Sequence, residues 1–211
     1  MKIIESVHQE GSLAKIGVIV PTVNAGAVHV KECIASLSEF SAGVEMKVYL
    51  VENDYEGFPK ACNAGMRRAF NDGCEAVILL NDDTEIMHHD WVRTLWQNSK
   101  GRAIVGCHGT KITAPFGMSF PALAFWCVLI PRSVWNELGQ LDESFGLGNS
   151  EDLHYCYKAW KAGIEVKQEE RVWVHHKISK TFRSAELKDK FEGLKKDNMM
   201  LLLQRIEELD K

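Results

Sequence analysis

No two of the six cysteines stand as a Cys-x-x-Cys pair; they are scattered at Cys33, Cys62, Cys74, Cys107, Cys127 and Cys156. That spacing argues against a structural zinc site. Several lie inside apolar patterns, where cysteine behaves as a small hydrophobe, so a reducing, cytoplasmic compartment is the expectation. The N-terminus, Met1-Lys2-Ile3-Ile4-Glu5-Ser6, lacks the apolar core of a secretory leader. No apolar run approaches the roughly 20 residues that cross a bilayer; the longest is Ala122 to Ile130, so no transmembrane segment is expected. Excess positive charge is lacking too. The 25 Lys and Arg against 29 Asp and Glu leave a formal net charge of -4, which argues against general nucleic-acid binding. There is no internal repeat and no low-complexity linker.

What is present is an ordinary globular composition, 45% hydrophobic over 211 residues, which suits one domain or one domain plus a tail. Ile16 to Val20 is apolar and β-rich and ends at Pro21-Thr22, so it reads as a strand. Val30, Ile34 and Leu37 follow at helical spacing. Lys47 to Val51 reads as a second strand. Pro59 can sit in the first turn of a helix carrying Ala61, Cys62, Met66, Ala69 and Phe70, which Asn71-Asp72-Gly73 stops. Ala76 to Leu80 is a third strand. Asp90 can cap a helix holding Trp91 and Leu95, and Arg102 to Cys107 is a fourth strand. This alternation implies a mostly parallel central sheet flanked by helices.

The pattern then changes. His108 to Pro121 is rich in Gly, Pro, Thr and Ser and reads as a mobile loop, a candidate lid. Ala124 to Ile130 reads as another strand. Pro131 can open a short helix ending at Gly139, and Ser150 can cap a helix with Leu153, Cys156, Tyr157 and Trp160 on one face. Ile164 to Val174 supplies one or two further strands. From Ser184 onward the chain is charged and helical, with a stripe of Leu187, Phe191 and Leu194 and a nearly all-apolar Met199 to Leu203. Such a helix packs on the core or on a second subunit, so a homodimer through it stays open. The division expected is 1–183 for the α/β domain and 184–211 for a helical extension.

The densest chemistry is Ala76-Val77-Ile78-Leu79-Leu80-Asn81-Asp82-Asp83-Thr84-Glu85. A short, continuously apolar run reads as a strand buried on both faces, and in open α/β sheets ligands bind beyond the carboxyl ends of such strands. Adjacent carboxylates there repel unless a cation or hydrogen-bond donors offset them. Hard oxygen ligands suit magnesium or manganese, which also bind substrate phosphates. For an isolated Asp-Asp, a solvated acidic turn is the simpler reading. Elsewhere Ser150-Glu151-Asp152 reads as a helix N-terminus whose acids complement the helix dipole.

Several segments taken in order resemble family 2 glycosyltransferases with the GT-A fold, particularly the rhamnosyltransferase-like branch. Ile19-Val20-Pro21-Thr22 with Asn24 looks like the family's first strand and nucleotide loop. Gly57-Phe58-Pro59-Lys60-Ala61-Cys62-Asn63-Ala64-Gly65 looks like its Gly-Phe-x-x-x-x-Asn-x-Gly segment. Leu80-Asn81-Asp82-Asp83-Thr84 is similar to its metal-binding DxD position, with Asn81 where the first Asp can stand. Leu129-Ile130-Pro131-Arg132, with Gly139-Gln140-Leu141-Asp142-Glu143-Ser144-Phe145, matches the GGFDE.F segment with two substitutions. Glu151-Asp152 looks like the ED motif, and His175 with Ser179 resembles the late histidine. The likeness runs from about Ile16 to Thr181. It departs after the second strand, where the family usually carries Asp and this chain has Glu52, then Asn53 and Asp54.

The resemblance implies transfer of a sugar from a UDP-, dTDP- or GDP-sugar to a glycan or other hydroxyl acceptor, with Mn2+ or Mg2+ and with inversion. It implies Asp83 as direct metal ligand, Asp82 at the ribose or a metal-bound water, and His175 as a further ligand, with His176 as the alternative. It implies Asp152 as general base, with Glu151 binding the acceptor or standing in as base. Pro21, Thr22 and Glu52 fall at the nucleoside, Lys60 at the diphosphate, and Asn53, Asn63 and Asn81 complete the donor set. Trp126 and Phe145 are either a platform for a sugar ring or core. Competing readings are a nucleotide-sugar-binding protein without catalysis, and a nucleotidyltransferase. The second would favour a basic Gly-rich phosphate loop, whereas the segment after Pro21 has no Lys or Arg until Lys31. Lys177, Lys180 and Arg183 form a small basic cluster that keeps a nucleic-acid acceptor as a fourth possibility.

Overall fold

The computed structural model describes residues 2–8, 14–39, 44–113, 119–177 and 185–211. Seven strands form the central sheet: β1 (Lys2–His8), β2 (Lys15–Thr22), β3 (Glu45–Glu52), β4 (Ala76–Leu80), β6 (Ile104–Gly106), β9 (Cys127–Pro131) and β10 (Val166–Gln168). Their order across the sheet is β1-β3-β2-β4-β9-β6-β10. β2 runs parallel to β3 and β4, β9 runs antiparallel to β4 and β6, and β10 is parallel to β6. Five strands therefore share one direction, and β1 and β9 are reversed. Two small antiparallel ribbons flank the sheet: β5 (Thr84–Ile86) with β11 (Val174–His176), and β7 (Gly109–Thr113) with β8 (Ser119–Leu123).

β4 shows why helices cover both faces. All five of its side chains are buried, and successive residues point to opposite sides. Val77 and Leu79 join one core with Met66 and Phe70 of α2 (Phe58–Asn71), Tyr155 and Cys156 of α5 (Glu151–Lys161), and Leu202 and Ile206 of α6 (Ala185–Leu209). Ala76, Ile78 and Leu80 join the other core with Cys33 and Leu37 of α1 (Val28–Glu39) and Trp91 and Leu95 of α3 (Trp91–Ser99). Each such aliphatic side chain contributes roughly 1.5–3 kcal/mol by leaving water. α4 (Arg132–Leu138) completes the fold.

Three expectations change, and one strand forms where no element was expected. The N-terminal segment forms the edge strand β1, paired with β3 from Lys2 opposite Glu52 to His8 opposite Met46. The strand expected from Ala124 begins at Cys127 and runs against its neighbours. The loop expected from His108 to Pro121 is largely a β-hairpin, with 114–118 outside the described residues. Its composition hides an alternation in which Phe120 and Ala122 are buried while Ser119 and Pro121 are not. Ser150 and Asp90 stand at helix starts but both have left-handed backbone and neither caps through its side chain.

Helix α6 packs on this chain. Leu202 and Ile206 are buried, Arg205 Nε donates to Asp142 Oδ2 at 2.8 Å, and Tyr157 Oη donates to Asp210 Oδ1 at 2.6 Å. The side chains of Leu187 and Phe191 lie outside those described. A second subunit would have to use the other side of the helix, where Met200 is exposed.

Candidate active site

β4 delivers Asn81, Asp82 and Asp83 to the carboxyl end of the sheet, and the chain then turns back as β5. Asp82 and Asp83 are both buried. The turn is held by Asn81 O, which accepts from Thr84 N at 3.3 Å and Thr84 Oγ1 at 2.7 Å. β11 pairs with β5 so that His175 lies opposite Glu85 and His176 opposite Thr84. Side chains alternate along a strand, so one histidine can face the acidic turn and the other cannot. His176 Nε2 lies 3.0 Å from Asp83 Oδ1, and Lys177 N donates to Asp83 O at 2.9 Å. His175 is exposed. The histidine beside Asp83 is thus His176, the alternative to His175. Ser179, Lys180, Thr181 and Arg183 lie outside the described residues; Lys177 pairs with Glu32 and Glu85.

Asp82 faces the other way. Its Oδ2 is 3.6 Å from Nε2 of His29, in the first turn of α1. Burial raises the Asp82 carboxyl above its usual range, opposed by a hydrogen bond from Thr22 and by His29. Trp126 stacks on His176, ring centroids 5.1 Å apart at 22°. Its carbonyl accepts from Asn81 N at 3.0 Å. Trp126 and Asn81 both line a cavity of about 350 Å³ that Asn149, Ser150, Glu151 and Asp152 also line. Trp126 is therefore a wall of the site. Phe145, the other platform candidate, is fully buried in the core.

The segment before α5 is held in unusual backbone. Gly146, Gly148, Asn149 and Ser150 all have positive φ, at 59°, 117°, 82° and 76°. Asparagine and especially serine adopt this region at a cost, and such residues persist where their surroundings over-determine them. The segment presents Glu151 and Asp152 at the cavity. Burial pushes the Glu151 carboxyl up to about 8, with the Asp152 charge adding to the shift. Burial also pushes Asp152 up to about 6, against backbone hydrogen bonds that include Leu153 and Phe125. Glu151 Oε2 is buried without a hydrogen-bond partner.

The remaining donor-site candidates divide. Pro21 and Thr22 end β2 beside the site, and Glu52 Oε1 accepts from Ala25 N at 2.8 Å, tying the end of β3 to the loop after β2. Asn53 is committed to backbone: Nδ2 donates to Thr22 O and Oδ1 accepts from Glu56 N. Asn63 is fully buried, with Nδ2 donating to Leu141 O and Glu143 Oε1 and Oδ1 accepting from Leu141 N. These two side chains brace the scaffold, Asn63 with both amide protons and its oxygen engaged within the chain. Lys60 is exposed on α2, paired with Glu56 at 2.8 Å, and does not line the cavity.

A divalent cation fits the Asp83–His176 pair: one carboxylate and one imidazole converge, leaving positions for phosphate and water as manganese and magnesium prefer. Among the described residues no group of three or more His, Cys, Asp or Glu forms a protein-only cage. Among them, no helix is long and apolar enough to cross a membrane.

His29 and Asn198, a buried residue of α6 bonded to the Phe145–Asn149 backbone, are further parts of the site. Sequence reasoning passed over both. His29 carries no local signal, and Asn198 sits in a stretch that reads as a packing helix.

No protein-family model and no curated protein sequence matches the chain. Solved structures do. GalNAc-T7 with UDP, GalNAc and Mn2+ superposes with a TM-score of 0.61 and 14% identity, over 80% of this chain and 45% of that one. The mannosyltransferase PcManGT from Pyrobaculum calidifontis, in complex with GDP-Man and Mn2+, gives 0.58 and 16%, over 80% and 58%. A197 from STIV gives 0.51 and 9%, over 78% and 86%. The chain spans 45% and 58% of the first two. The likeness is one of fold, and the chain has the GT-A-type fold of these glycosyltransferases.

Proposed function

We propose that this chain is a metal-dependent glycosyltransferase that moves a sugar from a nucleoside-diphosphate donor to an acceptor hydroxyl with inversion. The observation that carries the reading is one cavity lined both by Asn81 and the Trp126 that stacks on His176 and by two carboxylates, the buried Glu151 and the half-buried Asp152. Asp83 and His176 would hold Mn2+ or Mg2+. The ion would supply positive charge to the diphosphate as it leaves. Asp82, placed between Thr22 and His29, lies on the nucleotide side. Two of the similar structures contain UDP or GDP-Man with Mn2+, which supports a nucleotide-sugar donor and a divalent ion.

The acceptor oxygen attacks the anomeric carbon as the bond from that carbon to the diphosphate oxygen breaks, and the leaving oxygen keeps the electron pair. The acceptor proton passes to Asp152. Burial makes Asp152 a stronger base than an exposed aspartate while leaving it ionised at neutral pH. Glu151, with the higher pKa, stays protonated there and can donate a hydrogen bond from the buried carboxyl to an acceptor oxygen. One displacement on one face inverts the anomeric centre. The rhamnosyltransferase-like branch rests on the motif order alone.

The test is turnover of UDP-, GDP- and dTDP-sugars with Mn2+, followed by release of nucleoside diphosphate across hydroxyl acceptors. Release that requires Mn2+ and is lost in Asp152→Asn supports the reading. Nucleotide-sugar binding without turnover on any acceptor would favour a binding protein of the same fold.

A further inference from the structure

We infer that Asn198, on the C-terminal helix, is a positioning residue that holds the acceptor-side carboxylates in place, so that α6 is a working part of the site. The inference rests on the glycosyl-transfer reading for its functional meaning, and on geometry for its physical content.

The segment from Phe145 to Ser150 is clamped from two sides. On one side stands the start of α2. Gly57 has φ 109°, and a Cβ added there would lie 2.0 Å from Gly146 O, so only glycine lets the two backbones approach. Phe58 N donates to Leu147 O at 3.4 Å. On the other side stands Asn198. Its Nδ2 lies 2.8 Å from Phe145 O, 2.8 Å from Gly148 O and 3.0 Å from Asn149 O. All three partners are carbonyl acceptors, so only the amide NH2 can face them, with two protons shared among three oxygens. Asn198 is itself buried, at 4% exposure.

The clamp sits where restraint is most needed. Four of the five residues 146–150 hold positive φ, and an unrestrained segment would relax toward ordinary backbone. The next two residues are Glu151 and Asp152. Met199, the neighbour of Asn198, lines the same cavity. Arg205 and Asp210 anchor α6 elsewhere, to Asp142 and to Tyr157 and Lys161. Of these three α6 residues, only Asn198 bonds the backbone that leads into the carboxylates.

The experiment compares full-length wild type with Asn198→Asp, Asn198→Ala and Arg205→Ala. Asn198→Asp keeps the shape but turns a carboxylate toward three carbonyl oxygens. Amide exchange at Gly146 and Gly148 should accelerate about 10- to 100-fold in both Asn198 variants, as expected for two or three lost hydrogen bonds. The carboxyl titrations of Glu151 and Asp152 should move toward ordinary values. Arg205→Ala should leave both readouts at wild type. For transfer, kcat/KM for the acceptor should fall about 100-fold, the cost of a misplacement near 1 Å, with donor KM unchanged.

If no donor turns over, glycosyl transfer fails while exchange and titration still decide Asn198. Unchanged exchange and titration in folded Asn198 variants, or equal loosening in Arg205→Ala, would overturn the inference. Should both Asn198 variants fail to fold, wild type decides. Gly148 exchanging in step with the amides of α6 supports the clamp, and exchange at the rate of an open loop refutes it.

Discussion

His176 Nε2 stands 3.0 Å from Asp83 Oδ1 although ninety-odd residues separate them in the chain. The β5–β11 ribbon makes the meeting, because its register sets His176 opposite Thr84 and leaves His175 opposite Glu85. A pair of adjacent histidines thus becomes one residue at the site and one in solvent.

The first prediction follows from that register. His176→Ala should weaken Mn2+-dependent binding of a nucleoside diphosphate by at least about tenfold, the loss seen even for changes around a metal's direct ligands. His175→Ala should leave it unchanged. Calorimetric titration of the two variants checks this, and the reverse order would place the metal on the other face of β11.

Asp152→Asn should lower kcat by about 10²–10⁴-fold, the usual contribution of a positioned base. The pH dependence should be bell-shaped. Activity rises as Asp152 loses its proton around pH 6 and falls as Glu151 loses its own around pH 8, with both limbs belonging to the pair. In Glu151→Gln the alkaline limb should disappear. A profile flat from pH 5 to 9 in wild type would contradict these roles.

The same pair sets a stability trend. Glu151 is raised in the folded state from 4.5 to about 8. The folded chain therefore binds more protons than the unfolded chain between those values, and stability falls as pH rises through that window. Glu151→Gln should remove this part of the decline, so its Tm should exceed that of wild type at pH 8.5 and approach it near pH 4. Scanning calorimetry at the two pH values checks the sign.

Asn63→Ala should destabilise the fold by about 2–4 kcal/mol, because it strips hydrogen bonds from the buried N–H and C=O of Leu141. Nucleotide affinity of the folded variant should be unchanged. Lost nucleotide binding at wild-type stability in urea unfolding would return Asn63 to the donor site.

The legibility of these residues tracks how local their causes are. β4 and its acidic end were readable because a run buried on both faces leaves a continuous apolar signature, and all five side chains are indeed buried. The helices around Met66, Trp91 and Tyr157 were readable from periodicity. The hairpin of β7 and β8 was not, since Gly, Pro, Ser and Thr masked the alternation of Phe120 and Ala122. The reversed direction of β9 has no sequence signal at all. Within the site, Asp82 and Asp83 stand at a strand end and Glu151 and Asp152 at a helix start, both placements that local sequence displays. Asn63 and Asn53 could not be told from ligand-binding amides until their partners were seen. His29 and Asn198 depend on packing between distant elements, which one sequence does not display.

The central claim is that Asp83 and His176 hold a divalent ion that brings a nucleoside diphosphate to this cavity. Calorimetric titration of UDP, GDP and dTDP, with and without Mn2+, on wild type and Asp83→Asn tests it most directly. The account predicts binding of one nucleotide that needs Mn2+ and is abolished by the substitution. Failure of all three to bind wild type with Mn2+, or binding that Asp83→Asn leaves intact, would contradict it.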